Sequence, residues 1–465
     1  MFDVVFLGGG PGGYVGAIHG AQSGLRVALV ESTDLGGTCL NRGCIPTKAL
    51  LACVEVARKA RGGAEFGVDV PGGVKIEWGR MMARKDRTVA RLRGGVEGLL
   101  KANGVVVYKG RGTLEAPVRV AVALADGSRQ VVETRNAVIA TGSRPARPPV
   151  PGMDLQRVMT SDEILSLQTL PGSIVIVGGG VIGIEFASIF SGLGSKVTVI
   201  EMLPSIIPPA DAEISARLEA LLKRDGVTIH TGARVDSLES TADGVRVRVT
   251  TGSGGLEVAA ESVLVATGRV PNLDGVDAGM LGLRMAGRAI AVDGFQRTNL
   301  QGVYAAGDVT GGQQLAHVAS AQAILAVDTI AGRKAAPFNP LAVPGCVFCE
   351  PEVAWVGLTE AEARKQGRGV KIGRFPFAAL GKAVAMGETD GFVKVIADES
   401  TGEILGAHVL GPHASDLIHE IAGFMVAEGT VEEIGRTVHA HPTLAEGIAE
   451  ASRGVFGKPI HSVSH

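Results

Sequence analysis

The chain lacks a net charge of either sign, lacks a basic leader, and has few cysteines for its length. Its 45 lysines and arginines nearly balance 47 aspartates and glutamates, leaving −2 at pH 7. No long-range field therefore draws in nucleic acid or an anionic membrane, and neither is an expected partner. Met1 leads directly into the strand-like Val4-Val5-Phe6-Leu7 without a basic n-region, an apolar h-region or a small-residue cleavage site, which predicts residence in the cytoplasm. The most apolar window, residues 174–190, is short for a membrane span and contains Gly178-Gly179-Gly180, Gly183 and Glu185. It reads as a buried strand, a turn and a helix. Five cysteines in a reducing compartment argue against a disulfide framework, so a close pair points to catalysis or metal binding.

Glycine is what the chain has in excess. Its 67 glycines are about twice the usual share, and 465 residues suffice for two to four domains. Strand-like Val4–Leu7 runs into Gly8-x-Gly10-x-x-Gly13, a helical stretch through Ala17 and Ala21, and a strand Val27–Val30 ending at Glu31. The design recurs in mid-chain: Ile174–Val177, Gly178-x-Gly180-x-x-Gly183, a helix through Ala187 and Ile189, and Val197–Ile200 ending at Glu201. In such a unit the glycines let a tight turn bring backbone and helix start onto a pyrophosphate, while the acid binds a ribose diol. One fingerprint is weak evidence, but two copies in identical register predict two dinucleotide sites. Each unit is followed by a strand closing on a similar tripeptide, Ala140-Thr141-Gly142 and Ala266-Thr267-Gly268.

Prolines 145, 148, 149 and 151 form an entry linker and Pro271-Asn272 an exit, so the second unit is an insertion. Gly302–Asp308 and a helix from about Ala316 to Ala326 then rejoin the first domain. Beyond Leu341, a hairpin of residues 393–396 and 404–410 is followed by helical patterns at 414–428 and from Thr443 toward Phe456. The predicted class is α/β, with two Rossmann-like dinucleotide-binding domains plus a C-terminal α+β domain. The expected spans are 1–145 and 273–340 for the first domain, 146–272 for the second and 341–465 for the last.

Cys39 and Cys44 stand in Gly36-Gly37-Thr38-Cys39-Leu40-Asn41-Arg42-Gly43-Cys44-Ile45-Pro46-Thr47-Lys48. Pro46 suggests a helix start, whose partial positive charge favours thiolates. In a regular helix residues five apart lie roughly 8 Å apart at Cα, beyond the ~7 Å limit for a bridge, so the chain must distort between them. Gly43 is available for that.

These features resemble the flavoprotein disulfide reductase family over essentially the whole chain: both fingerprints with Glu31 and Glu201, the 39–48 run, Gly307-Asp308, and His439-Ala440-His441-Pro442-Thr443-Leu444-Ala445-Glu446. The resemblance implies FAD in the first unit, at Gly8, Gly10, Gly13, Glu31, Thr141, Gly142 and Ala316, with Asp308 near the ribityl chain. Lys48 would lie near the flavin ring, paired with Glu185. NAD is implied in the second unit, at Gly178, Gly180, Gly183, Glu185, Glu201 and Gly268. Glu201 repels a 2′-phosphate and no arginine follows closely, which favours NAD over NADP. The implied catalytic set is Cys39, Cys44, Lys48, His441 and Glu446, in a homodimer whose active site is shared between subunits, and no metal is expected. The implied substrate is the dihydrolipoyl group of a lipoyl-bearing carrier protein, with His441 as base and Glu446 orienting it.

NADPH-driven reduction of glutathione or another small disulfide shares the scheme, but Glu201 and the 443–446 ending weigh against it. Mercuric ion reduction would need a thiol pair in residues 458–465, which hold none. A catalytically idle scaffold does not explain why Cys39, Cys44, His441 and Glu446 are kept together. Cys346 and Cys349 depart from the family pattern and, with no second CxxC, read as two unligated thiols. Cys53 reads as core, His439 receives no role, and the basic run Arg80, Arg84, Lys85, Arg87, Arg91 and Arg93 reads as a solvated helix face.

Overall fold

The computed structural model describes residues 1–461; the end of the 458–465 tail lies outside them. Val4–Leu7 is buried at every position: Val4 and Phe6 pack among helix residues such as Ala17 and Ala323, and Val5 and Leu7 among strand residues such as Leu114 and Val120. It pairs in parallel with Val27–Glu31 on one side and Ala137–Ile139 on the other. The seven-stranded sheet runs Val303–Ala305, Ala137–Ile139, Val4–Leu7, Val27–Glu31, Val106–Ala116, then the antiparallel Arg119–Leu124 and Arg129–Glu133. Chain order reverses about Val4–Leu7, so the glycine turn after Leu7 opens at a topological switch point, where such sheets bind ligands.

The second fingerprint stands at the centre of an all-parallel sheet ordered Thr228–His230, Lys196–Ile200, Ser173–Val177, Ser262–Val265, Val158–Thr160. An antiparallel meander, Arg234–Ser240, Val245–Thr251 and Gly254–Ala260, is joined to it. The chain enters and leaves this unit through two short strands, Ser143–Pro145 and Arg269–Pro271, which pair with each other.

From Gly345 an antiparallel sheet of five strands forms, covered by the helices Ala414–Val426 and Glu446–Gly454. Lys394 in this sheet is almost wholly buried, and its ammonium lies 2.8 Å from each of Asp211, Glu213 and Glu360. Asp211 and Glu213 begin the Ala212–Arg224 helix of the second unit. An isolated buried ammonium would be costly; three carboxylates around it turn it into a fastener between the two units.

Several local expectations need correction. The helix expected to start at Pro46 runs Cys44–Gly62, because Gly43 (φ −147°, ψ −110°) breaks the preceding helix Gly37–Arg42 directly before Cys44. The last helix starts at Glu446 rather than Thr443, after a cis His441-Pro442 bond. The basic run lies on Trp78–Ala102 but is not uniformly solvated. Lys85 is buried and donates to Leu165 O (2.6 Å), Arg84 to Ala49 O (3.0 Å), and Arg93 pairs with Asp34. Cys53 is only half-buried.

Candidate active site

The two glycine cradles are near-copies in space. Gly8 and Gly178 adopt φ +106° and +109°, open to glycine alone without strain, and a Cβ there would strike the carbonyl of Ala140 or Ala266. The third glycines let helix pack on strand: a Cβ on Gly13 would sit 1.7 Å from Gly8 O, and on Gly183 1.9 Å from Gly178 O. At the second position the opposite holds. A Cβ on Gly180 would meet no protein atom within 4 Å, and on Gly10 only Gly37 Cα at 3.7 Å. Those two positions are bare toward the cleft, which is what close approach of a pyrophosphate to the backbone needs. The residues present therefore fit two dinucleotides.

The acids close each cradle in the same way. Glu31 accepts from Gly9 N–H (2.7 Å) and Thr33 N–H (2.7 Å), and Glu201 from Gly179 N–H (2.6 Å) and Leu203 N–H (2.7 Å). Thr33 Oγ also donates to Glu31 (2.9 Å). Of the four or so lone-pair positions of a carboxylate, some on each acid stay free for ribose hydroxyls.

Both cradles open into one continuous cleft of about 2660 Å³. Its walls include Gly8, Gly10, Glu31, Cys39, Cys44, Lys48, Thr141, Gly142, Asp308 and Ala316 from the first unit, and Gly178, Gly180, Glu185, Glu201 and Gly268 from the second. Gly13 and Gly183 lie behind the wall, as their packing role requires.

The redox segment is built by a helix break. Cys39 sits in Gly37–Arg42, and Cys44 is the first residue of the 19-residue helix Cys44–Gly62, where unpaired N–H groups favour a nearby anion. Both are free thiols. Their mutual hydrogen bond splits their acidities: it lowers Cys44 to about 7 against the opposing effect of burial, with Lys48 assisting. The same bond, with burial, pushes Cys39 far up. Ionisation therefore falls on Cys44. Lys48, one helical turn along, donates to both carboxylate oxygens of Glu185 (2.7 and 2.8 Å). Its ammonium stands 4.3 Å above the Phe348 ring, and the backbone N–H of Phe348 also donates to Glu185 (3.1 Å).

His441 and Glu446 form the other expected group, with Nδ1 3.0 Å from the carboxylate. Partial burial opposes the charge on Glu446, but Thr443 N–H (2.8 Å) and His441 hold its carboxyl below the usual carboxylate range. An ionised Glu446 can only accept, so Nδ1 carries the proton and Nε2 is left as a base. The His441 side chain is 78% exposed and neither residue lines the cleft. One chain therefore does not bring this pair to the cysteines. His439, given no role, hydrogen-bonds Glu420 (2.8 Å).

Ser143 and Arg269 were missed. Each follows one of the twin tripeptides, after Gly142 and Gly268, and that shared position was the available signal. Arg269 Nε donates to Ser143 Oγ (2.7 Å), and Ser143 Oγ donates to Asp308.

Comparison with known proteins agrees along the chain. The family described as pyridine nucleotide-disulphide oxidoreductase matches residues 2–323, and the dimerisation domain of that family matches 343–452. A dihydrolipoyl dehydrogenase of Bacillus subtilis is 45% identical over 99% of both chains. One of Chlamydia muridarum is 44% identical over 99% of this chain and 98% of its own. The crystal structure of LpdA from Mycobacterium tuberculosis superposes with a TM-score of 0.90 at 31% identity, covering 97% of this chain and 99% of that one. The HOCl-induced flavoprotein disulfide reductase RclA of Escherichia coli superposes at 0.85 and 29% identity, covering 97% and 99%.

Proposed function

Since the chain belongs to the pyridine nucleotide-disulphide oxidoreductase family, we propose that it acts as a dihydrolipoyl dehydrogenase, oxidising the dihydrolipoyl group of a lipoyl-bearing carrier protein with FAD and NAD⁺. One observation carries this reading: a thiol pair whose charge is biased onto Cys44 lines the same cleft as both dinucleotide cradles. The match to a dimerisation domain supports a homodimer. The exposure of His441 beside Val438, which is 96% exposed, supports a base that serves the cysteines of the partner subunit.

In this scheme His441 Nε2 takes a proton from a dihydrolipoyl thiol, while Glu446 holds the ring and stabilises its charge. The substrate thiolate attacks Cys39 Sγ of the oxidised pair, and Cys44 leaves as a thiolate. The second substrate thiolate then displaces Cys39, releasing the cyclic disulfide and leaving both cysteines reduced. A bound FAD would supply the two-electron redox chemistry that links the reduced cysteine pair to a nicotinamide dinucleotide. Gly10 and Glu31 with Asp308 would hold FAD, and Gly180 with Glu201 the nicotinamide dinucleotide. Domain limits at 145/146, 272/273 and 340/341 go with this reading, supported by the pairing of Ser143–Pro145 with Arg269–Pro271. No helix among the described residues is long and apolar enough to cross a membrane, and we place the protein in the cytoplasm.

Purified protein mixed with dihydrolipoamide and NAD⁺ is expected to form NADH. No NADH, with rapid NADPH-driven reduction of glutathione disulfide instead, overturns the assignment.

A further inference from the structure

We propose that Arg269 is a positioning residue which, through Ser143 and Thr38, fixes the direction of the Asp308 carboxylate and the seat of the segment entering Cys39. This rests on the reading that FAD occupies the first cradle. Arg269 belongs to the strand by which the chain leaves the second unit, yet its side chain, 11% exposed, reaches into the first. Its Nε donates to Ser143 Oγ (2.7 Å), and its Nη2 to Ser143 O (2.9 Å) and to Thr38 Oγ1 (3.4 Å).

A guanidinium can only donate. Ser143 Oγ must therefore accept from Arg269 and use its single proton elsewhere, and that proton goes to Asp308 Oδ2. The other oxygen of Asp308 is left for a ligand hydroxyl in the cleft that Asp308 lines. One planar fork thus orients a carboxylate on one side and the residue before Cys39 on the other. The remaining charge is balanced without pulling the fork away: Asp162 Oδ1, buried and without a hydrogen-bond partner, stands 3.9 Å from Nη1. A lysine could supply the charge but not two donors in fixed directions.

The test is the rate at which FAD leaves the purified holoprotein, followed by the rise in free-flavin fluorescence. Arg269→Lys and Ser143→Ala should each speed release about tenfold, the loss of one charge-assisted hydrogen bond. The double variant should be no faster than either single, and Ser143→Thr, which keeps the hydroxyl, should stay within about twofold of the parent. A parental rate in Arg269→Lys, or effects that multiply in the double variant, overturns the proposal. Should Arg269→Lys fail to fold, Ser143→Ala against Ser143→Thr decides alone, a parental rate in the former being the overturning result. Release does not depend on the thiol substrate, so a protein that ignores dihydrolipoamide yet shows this pattern loses the proposed function and keeps the inference.

Discussion

Two cysteine pairs stand close to the same ion pair and behave oppositely. Cys44 and Cys346 both line the cleft and both feel Lys48 and Glu185. Cys44 is drawn down to about 7, whereas burial, with Glu352 adding to it, pushes Cys346 up to about 12. Burial pushes Cys349 up as well, and its thiol donates to Pro351 O (3.1 Å). The ion pair is common to both, so the difference lies in what else each thiol meets. Cys44 opens a long helix and receives a hydrogen bond from Cys39; Cys346 lies within the strand Gly345–Val347. Close spacing in sequence does not make a redox couple. A helix start and a thiol partner do.

The sharpest way to break that contrast is to remove one thiol from each pair. Cys44→Ser should lower dihydrolipoamide oxidation roughly a thousandfold or more, while the protein stays yellow, because neither cradle loses a contact. Cys346→Ser should leave the rate within about twofold of the parent; steady-state assays of the two variants side by side decide it. A wild-type rate in Cys44→Ser would count against the mechanism.

Next in size comes the base, which in the proposed scheme serves only the first pair. His441→Gln should cost about a hundredfold to ten-thousandfold. Co-expressed Cys44→Ser and His441→Gln chains should regain activity in mixed dimers, since one of the two shared sites is then intact. No recovery in isolated mixed dimers would mean that each chain supplies its own base.

How much of this was legible beforehand divides along physical lines. The cradles were, because the chemistry that binds a pyrophosphate leaves fixed intervals of glycine and acid, as at Gly8 to Glu31 and Gly178 to Glu201. The break at Gly43 was also legible, from the reach a disulfide allows. The antiparallel meander at 234–260 was not, since its exposed alternation carries no chemistry. Nor were Ser143 and Arg269, whose contact joins positions 126 apart in the chain. The basic run was misjudged because composition cannot tell that Lys85 turns inward to Leu165 O.

The smallest expected effect tests how far Lys48 itself contributes to the contrast. In the reduced protein the thiolate of the first pair should appear as pH rises through about 7, whereas Cys346 should remain a thiol until far more alkaline pH. Alkylation rates across pH, read by mass spectrometry at each cysteine, resolve the two. The Cys39 hydrogen bond outweighs Lys48 in lowering Cys44, so Cys39→Ala, which removes the donor, should move the midpoint upward further than Lys48→Met does. The latter should raise it by about one pH unit, since it removes a cation and leaves the nearby Glu185 charge unopposed. Adding Glu185→Gln to Lys48→Met should then return part of that shift. A midpoint unmoved by Lys48→Met would assign the whole of the depression to the helix start and the partner thiol.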